Sequence, residues 1–256
     1  MTMVTDSSVV PGIGRIGDPG EVEPAEFGHL SEFFDPFLVP FAIDTLRVGG
    51  EVWVSRSEVG IDGLFLYVAS ERFGSIFTLS PAIAEAFSTF HPGASIFSDF
   101  PFGPSSEVFG MYRASLDDSP DPHRYSHRVR AAEESDRDDV LGLMRNVHGV
   151  VDERWFASLL REGETCFVVD GASELAGTGW VSVAGRSARL HSLTVRPRYR
   201  RTGVGTDLWQ ARVAWARNAG ARDVLTEISD HNLPSRAIAE AGGMRRVGEI
   251  YRSVRA

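Results

Sequence analysis

The sequence contains no lysine, because all 26 of its Lys+Arg residues are arginines. A lysine amine is needed by Schiff-base enzymes, by nucleoside triphosphatases with a Walker A loop and by protein kinases. The absence of lysine therefore excludes these three classes of enzyme.

Cysteine is nearly as scarce, since Cys166 is the only one in the chain. A single thiol allows neither an intramolecular disulfide nor a cysteine-based metal cluster. We therefore expect no metal, and a reducing, cytoplasmic location. Because Cys166 falls within a predicted strand, we expect its thiol to be buried and inert.

Long apolar runs are also missing, and no stretch approaches the roughly 18–20 residues that a membrane span needs. The first ten residues, "MTMVTDSSVV", lack the basic start and the apolar stretch of a secretory signal. We expect neither a membrane nor a nucleic-acid partner. The oligomeric state stays open.

Two halves of different character meet near the Pro- and Asp-rich segment Leu116–His127. Fourteen of the 16 phenylalanines precede this segment. Residues 1–120 carry 5 arginines against 17 acidic residues (−12) and residues 121–256 carry 21 against 18 (+3), which sums to the net charge of −9. The asymmetry predicts two units, of which the second is better suited to hold an anion. The predicted ranges are 1–25 (partly disordered), 26–116 (α+β domain), 117–126 (linker) and 127–256.

The second half has the hydrophobic periodicity of an α/β (α+β) fold. A strand at 127–134 precedes a helix for which Ser135 is the predicted N-cap. A second helix at 153–162 leads into a hairpin of strands at 165–170 and 175–184. The remaining predicted elements are a strand at 188–195, a helix ending near Gly220, a strand at 223–229, a short helix after Asn232 and a closing strand. This order predicts a mixed sheet with helices on both faces.

A glycine loop, "RYRRTGVG" with Gly203 and Gly205, follows the strand at 188–195 and opens a helix. The first N–H groups of a helix are unpaired and its dipole favours negative charge there, so this position suits an anion. Glycine permits close approach of a phosphate, because a Cβ would stand in the way. The spacing is not G-x-G-x-x-G and no acidic ribose ligand follows, which argues against a dinucleotide-binding fold.

The segment "LTVRPRYRRTGVG" resembles the pyrophosphate-loop signature R/Q-x-x-G-x-G/A of the GNAT superfamily of acyl-CoA-dependent N-acyltransferases. A second segment, from Asn232 to Tyr251, is similar to the family's "N…GF" ending, with Met244 where phenylalanine is usual. The resemblance covers residues 127–256 with all elements in order. It implies a GNAT-like fold and acetyl-CoA as cosubstrate.

By this resemblance, backbone N–H groups from Arg201 to Thr206 hold the coenzyme A pyrophosphate. The strand end at 193–195 separates from its neighbour and pairs with the pantetheine arm, and the N–H of Leu193 or Thr194 polarises the thioester carbonyl. Arg196 and Arg198 add positive charge near the 3′-phosphate or form a solvated face. The implied cofactor-binding residues are Leu193, Thr194, Val195, Arg200, Arg201, Thr202, Gly203, Val204, Gly205, Thr206 and Asn232.

The resemblance also implies the catalytic groups. Glu227 is the candidate general base, five residues before Asn232, although the alternation equally allows a solvent-facing glutamate. Many relatives place a proton-donating tyrosine seven residues after the asparagine, where this chain has Ala239, so Ser235 or Tyr251 would have to replace it. Two histidines rank below Glu227 as catalysts, His191 on the strand and His231 before the last helix. His148 falls where relatives contact the acceptor.

The first half carries no catalytic motif. Its segments predict a helix at 26–34, strands at 51–56, 64–70 and 74–80, a helix at 82–90, and strands at 94–99 and 107–114. This order repeats that of the second half without its glycine loop. Two interpretations stay open, a degenerate GNAT-like domain and an unrelated α+β substrate domain.

The sequence thus predicts an N-acetyltransferase acting on a small-molecule or peptide amine. The alternative is a non-catalytic acyl-CoA-binding sensor or interaction protein. The acidic first half would attract a cationic acceptor, unless its charge serves only solubility.

Overall fold

The structure is a computed structural model that describes residues 12–27, 29–31, 33–103, 106–117, 126–148, 151 and 164–254. The predicted helix at 153–162 and most of the predicted linker lie outside the described residues.

Two compact units divide the chain, one formed by residues 1–109 with 249–256 and the other by residues 110–248. The divisions fall inside two strands, Glu107–Ser115 and Arg245–Val254, and not at 117–126. The domain ranges 26–116 and 127–256 stay predictions.

Unit 1 contains a meander of antiparallel strands followed by a parallel crossover. Its sheet has the order β1-β2-β3-β4-β5, and the end of the chain's last strand pairs antiparallel with β5. Helix α2 connects the parallel strands β4 and β5. The elements are β1 (Ile13–Ile16), α1 (Leu38–Arg47), β2 (Glu51–Ser57), β3 (Gly60–Val68), β4 (Phe73–Phe77), α2 (Pro81–Ser88), β5 (Ser95–Ser98) and β6 (Glu107–Ser115), which continues into unit 2.

The helix predicted at 26–34 was wrong. Glu26 ends a short 3-10 helix that begins at Pro24, Phe27 forms an isolated β-bridge with Ile61, and the first α-helix begins at Leu38. The carboxylate of Asp35 accepts the backbone N–H groups of Leu30 at 2.9 Å and Ser31 at 2.7 Å, which stabilises a turn in place of helical hydrogen bonds. Strand β1 was also missed, so residues 12–25 of the segment expected to be partly disordered are folded.

Unit 2 repeats this succession of elements. β7, β8, β9 and β10 are antiparallel neighbours, α4 connects the parallel strands β10 and β11, and β6 lies beyond β11. The elements are β7 (Val129–Ala131), α3 (Arg137–His148), β8 (Glu164–Asp170), β9 (Leu175–Ala184), β10 (Ser187–Val195), α4 (Val204–Asn218), β11 (Asp223–Ser229), α5 (Leu233–Ala241) and β12 (Arg245–Val254). The mixed sheet predicted for the second half is confirmed.

The cap at Ser135 was wrong. Residues 134–136 form a 3-10 turn, and Glu133 and Asp136 form a reciprocal capping box around it. Arg130 donates to both oxygens of Asp136, at 2.6 and 2.8 Å, and lowers the pKa of that carboxyl group. The carboxylate therefore outcompetes the hydroxyl of Ser135 for the start of α3.

Two apolar layers cover the sheet of unit 2. α3 packs on one face against Cys166, Val168 and Trp180. On the other face, residues of α4 and α5 pack against strand residues such as Val181 and Leu190. Among the described residues of both units, no helix combines the length and apolarity that crossing a bilayer requires.

The reactivity of the Cys166 thiol reports on the packing of this sheet. It is fully buried, and burial raises the pKa of its thiol to about 12. At pH 8 the native protein should therefore not react with a thiol reagent, because the thiolate is the reactive form. We expect one reactive thiol per chain only in denaturant, measured by release of thionitrobenzoate. Rapid labelling of the native protein at pH 8 would contradict this packing.

Candidate active site

The sheet of unit 2 opens between β10 and β11. The two strands pair from Ser187–Asp223 to Arg189–Leu225, and within the described parts of both strands the pairing ends there. β10 also changes register against β9 between His191 and Thr194, and Ser192 has a φ of +50°. Within the described residues, the strand end at 193–195 therefore pairs with β9 and not with β11, and the carbonyl of Val195 accepts from Arg200 Nε at 3.2 Å.

A loop with unpaired N–H groups lies directly after this open strand. It contains left-handed residues at Arg201 (φ +64°) and Gly203 (φ +97°), and α4 begins after Gly203. The first backbone N–H of α4 with an acceptor is that of Asp207, which donates to Gly203 O at 3.0 Å. In the described part of the chain, the six N–H groups from 201 to 206 have no acceptor. Unpaired N–H groups at the start of a helix form the kind of site that suits an anion.

The two glycines of the loop serve different purposes. Gly203 is exposed and has a backbone conformation that other residues adopt only with strain. A Cβ at Gly205 would lie 3.1 Å from Ile238 Cδ1, so this glycine lets α4 approach α5. The structure thus adds a conformational reason for Gly203 and a packing reason for Gly205, and the role of both toward a phosphate stays a prediction.

The arginines around the loop differ in whether they have an acidic partner, and Arg200 donates to the backbone carbonyl of Val195 at 3.2 Å. Arg196 contacts Asp139 at 3.2 Å and Glu174 at 3.3 Å, and Arg198 contacts Glu174 at 2.5 Å. Arg200 and Arg201 are exposed and have no acidic partner among the described residues. The positive charge predicted from four arginines is therefore available mainly from these two.

The start of α5 was predicted correctly. Asn232 caps the helix, and its Oδ1 accepts the backbone N–H of Ser235 at 3.3 Å. Ala239, which occupies the position of the family tyrosine, is fully buried in the core. Tyr251 belongs to unit 1, where its hydroxyl donates to Glu249 at 3.2 Å. Ser235 therefore belongs to unit 2 and Tyr251 to unit 1, and the role of each as a proton donor stays a prediction.

Two acid–base pairs flank the opening of the sheet. Glu227 and His191 each lie two residues beyond the last paired residues, Leu225 and Arg189, and so their side chains share one face. Glu227 forms an ion pair with Arg189. His191 Nε2 lies 2.9 Å from Glu164 Oε1. Both pairs are mostly buried, with 11% to 20% of each side chain exposed.

The other two histidines have different positions. His231 is exposed before α5, and its backbone N–H bonds Ser229 Oγ at 3.3 Å. The side chain of His148 lies outside the described residues.

Sequence reasoning missed a buried carboxylate beside the loop. Asp207 is 4% exposed and accepts hydrogen bonds from the backbone N–H groups of Ser126 and His127, at 3.1 and 2.8 Å. His127 Nδ1 lies 2.7 Å from the same oxygen, and its ring edge lies against Gly203. The contacts join positions 80 residues apart, so no local pattern could have indicated them.

Arg212 was also missed, although a signal existed. It lies four residues after Leu208 on the apolar stripe of α4 and is 1% exposed. Desolvation lowers the pKa of its guanidinium to about 9, which still leaves it protonated at neutral pH. A charged residue on the buried stripe of an amphipathic helix is unusual and can be recognised from spacing alone.

Comparison with known proteins agrees with this geometry. Residues 126–243 match the model of the acetyltransferase (GNAT) family. A search among curated proteins gave no match to the chain. Residues 126–243 are therefore a GNAT-family domain.

Solved structures extend the similarity into the first half. A GCN5-related N-acetyltransferase from Sphaerobacter thermophilus has a TM-score of 0.56 at 12% identity, over 81% of each chain. A GNAT-family structure from Novosphingobium aromaticivorans has 0.58 at 16%, over 75% of this chain and 86% of that one. A tandem GNAT protein from the clavulanic acid biosynthesis pathway has 0.55 at 15%, over 79% and 81%. Coverage of this extent shows that the first half also has a GNAT-like fold.

Gly203→Glu should abolish binding of acetyl-CoA, because bulk and negative charge would stand at the N–H groups. Gly220→Glu is the matched control, since Gly220 also has a left-handed φ (+89°), is exposed and lies at the far end of α4. Both substitutions should cost about 1–2 kcal/mol in backbone strain. Calorimetric titration with acetyl-CoA should detect no binding by the first variant and normal binding by the second. Equal affinities in the two variants would refute the placement of the phosphate.

Proposed function

We propose, from the GNAT-family domain at residues 126–243, that the protein transfers an acetyl group from acetyl-CoA to a primary amine. The observation that carries the proposal is the combination of an open strand end and, directly after it, six unpaired backbone N–H groups. The strand end suits an extended arm with amide groups, and the N–H groups suit a pyrophosphate. Acetyl-CoA has both, joined in one molecule.

Residues of this chain would hold the cosubstrate mainly through the backbone. The N–H groups from 201 to 206 would bind the pyrophosphate, with Arg200 and Arg201 near the other phosphate. The backbone at 193–195 would pair with the pantetheine amides. Thr194 also has a buried hydroxyl without a partner among the described residues, a group that a bound ligand could satisfy.

The bound thioester supplies an activated acyl group. A neutral amine would attack its carbonyl carbon, and the N–H of Leu193 would stabilise the negative charge that develops on the oxygen. The attacking amine must lose a proton, for which we propose Glu227, acting directly or through water. Its ion pair with Arg189 keeps the carboxylate oriented but occupies part of its hydrogen-bonding capacity.

His191 is the second candidate for accepting this proton. If Glu164 accepts a hydrogen bond from Nε2, then Nδ1 is the basic nitrogen of the neutral ring. For the departing thiolate, Ser235 is the proposed proton donor, since it lies in the first turn of α5 beside Asn232.

A second function is favoured by Ala239. This position is filled by the core and offers no acidic group, so a domain that binds acyl-CoA without turnover would have the same structure. Such a protein would serve as a sensor or an interaction module.

Release of coenzyme A in the presence of a panel of amines separates the two functions. Net charge of residues 1–120 is −12 from 5 arginines and 17 acidic residues, which raises the local concentration of cations. We therefore expect cationic primary amines to be the best acceptors, with a KM that rises between about 0.05 and 0.5 M salt as charges are screened. Tight binding of acetyl-CoA with no turnover of any amine would favour the sensor.

Glu227→Gln should lower kcat by about 10²-fold and flatten the acidic limb of the pH–rate profile, with little change in acetyl-CoA affinity. Because the substitution also leaves Arg189 without its charged partner, the control is the pair Arg189→Met and Arg189→Met/Glu227→Gln. A base is still missing in the double variant, so its kcat should stay low relative to Arg189→Met. Recovery of kcat in the double variant would show that Glu227 only neutralises Arg189.

A further inference from the structure

Arg212 is a buried cation that none of the proposed chemical steps uses. Its Nε donates to Leu208 O at 3.1 Å, and its Nη1 donates to Trp180 O at 3.2 Å and to His191 O at 3.3 Å. The guanidinium also lies 5.8 Å from the ring centroid of Trp209. Among the described residues, no carboxylate lies within ion-pair distance of it. Within the described part of the chain, its hydrogen bonds go to backbone carbonyls.

The chain makes room for this side chain at a cost. A Cβ on Gly179, in the middle of β9, would lie 3.0 Å from Arg212 Nε and 3.1 Å from Cζ. Glycine weakens a strand interior, and burying a charge without a counter-ion costs several kcal/mol. An apolar side chain in α4 would avoid both costs. The arrangement therefore indicates a task that an apolar residue could not perform.

The carbonyls that Arg212 binds lie at the start of the register shift between His191 and Thr194, which we call the β10 bulge. Trp180 and His191 are directly opposed on β9 and β10, and they are the last regular pair before the register shifts. A β-bulge, in which one strand has an extra residue, leaves backbone groups without hydrogen-bond partners on the neighbouring strand. A buried carbonyl without a partner is unfavourable. Arg212 joins both strands to α4 at this point and so stabilises the bulged conformation.

We propose that Arg212 is the positioning residue that holds the β10 bulge and thereby places the N–H of Leu193 for the thioester carbonyl. The inference rests on the proposed function. Arg212 acts through the backbone, since its guanidinium contacts His191 O, two residues before Leu193. If Arg212 only filled space in the core, an apolar residue of similar volume could replace it. The polarisation of the thioester carbonyl would then be unchanged.

The test uses Arg212→Met and Arg212→Lys in the full chain, with acetyl-CoA labelled with ¹³C at the carbonyl. A hydrogen bond to the carbonyl oxygen lowers its stretching frequency, so the infrared spectrum of the bound cosubstrate reports the N–H directly, without any acceptor. Val224→Ala is the control, because Val224 is buried in the same core and pairs in the regular part of β10 and β11. Melting temperature and acetyl-CoA affinity are measured for all variants.

We expect wild type and Val224→Ala to lower the carbonyl frequency of bound acetyl-CoA. Arg212→Met should bind acetyl-CoA within about fivefold of wild type but lose this shift, and kcat should fall by about tenfold to a hundredfold, as for a displaced reacting group. A full shift in Arg212→Met, or bound wild type without any shift, would overturn the inference.

Arg212→Lys covers the case in which the methionine variant does not fold. An ammonium group has no planar fork and cannot reproduce contacts to three carbonyls on three elements, so the shift should be reduced while the charge is kept. A shift equal to that of wild type would count against the inference. Failure of the wild-type protein to bind acetyl-CoA is a separate result, which would refute the proposed function.

Discussion

The arrangement of unit 2 depends on the loss of hydrogen bonding between β10 and β11 beyond Arg189–Leu225. Two parallel strands that continued to pair would close the sheet and leave no backbone groups for a ligand. The register shift at His191–Thr194 turns the end of β10 away, and the loop at 196–203 carries this displacement into the start of α4. The open strand and the unpaired N–H groups are thus two consequences of one local departure from regular pairing.

Buried charges occur where the sheet departs from regularity. Arg212 lies behind the bulge, the Arg189–Glu227 ion pair stands at the last paired position, and Asp207 lies under the loop. A buried charge is tolerated only with compensating hydrogen bonds, and here backbone carbonyls or N–H groups supply them for Arg212 and Asp207. The charges and the irregular backbone therefore stabilise each other, which explains how an open sheet persists in a well-packed core.

Comparison of the two units shows what a binding site requires beyond the fold. Both have an antiparallel meander, a crossover helix and a parallel strand. In unit 1, residues 78–80 alone connect β4 to α2, and Ser80 caps the helix with its own side chain. The N–H of Ile83 is used by that cap. The corresponding helix of unit 2 begins at a left-handed glycine without a side-chain cap, and so its first N–H groups are available.

The sequence alone determined the order of elements in residues 164–254, the glycine loop and the cap at Asn232, because these depend on local periodicity, turn chemistry and short spacing. It misplaced the first helix and the start of α3, where the carboxylates of Asp35 and Asp136 form competing turns. Only tertiary structure decided which arginines are available near the loop, that Glu227 is paired with Arg189, and that His127 lies against Gly203. It also decided that Arg212 reaches Trp180 and His191. Such contacts join residues 20 to 80 positions apart. The pairing of strands and the packing of helices on the sheet select the partners, and the local sequence signals at most that the charge of Arg212 is buried.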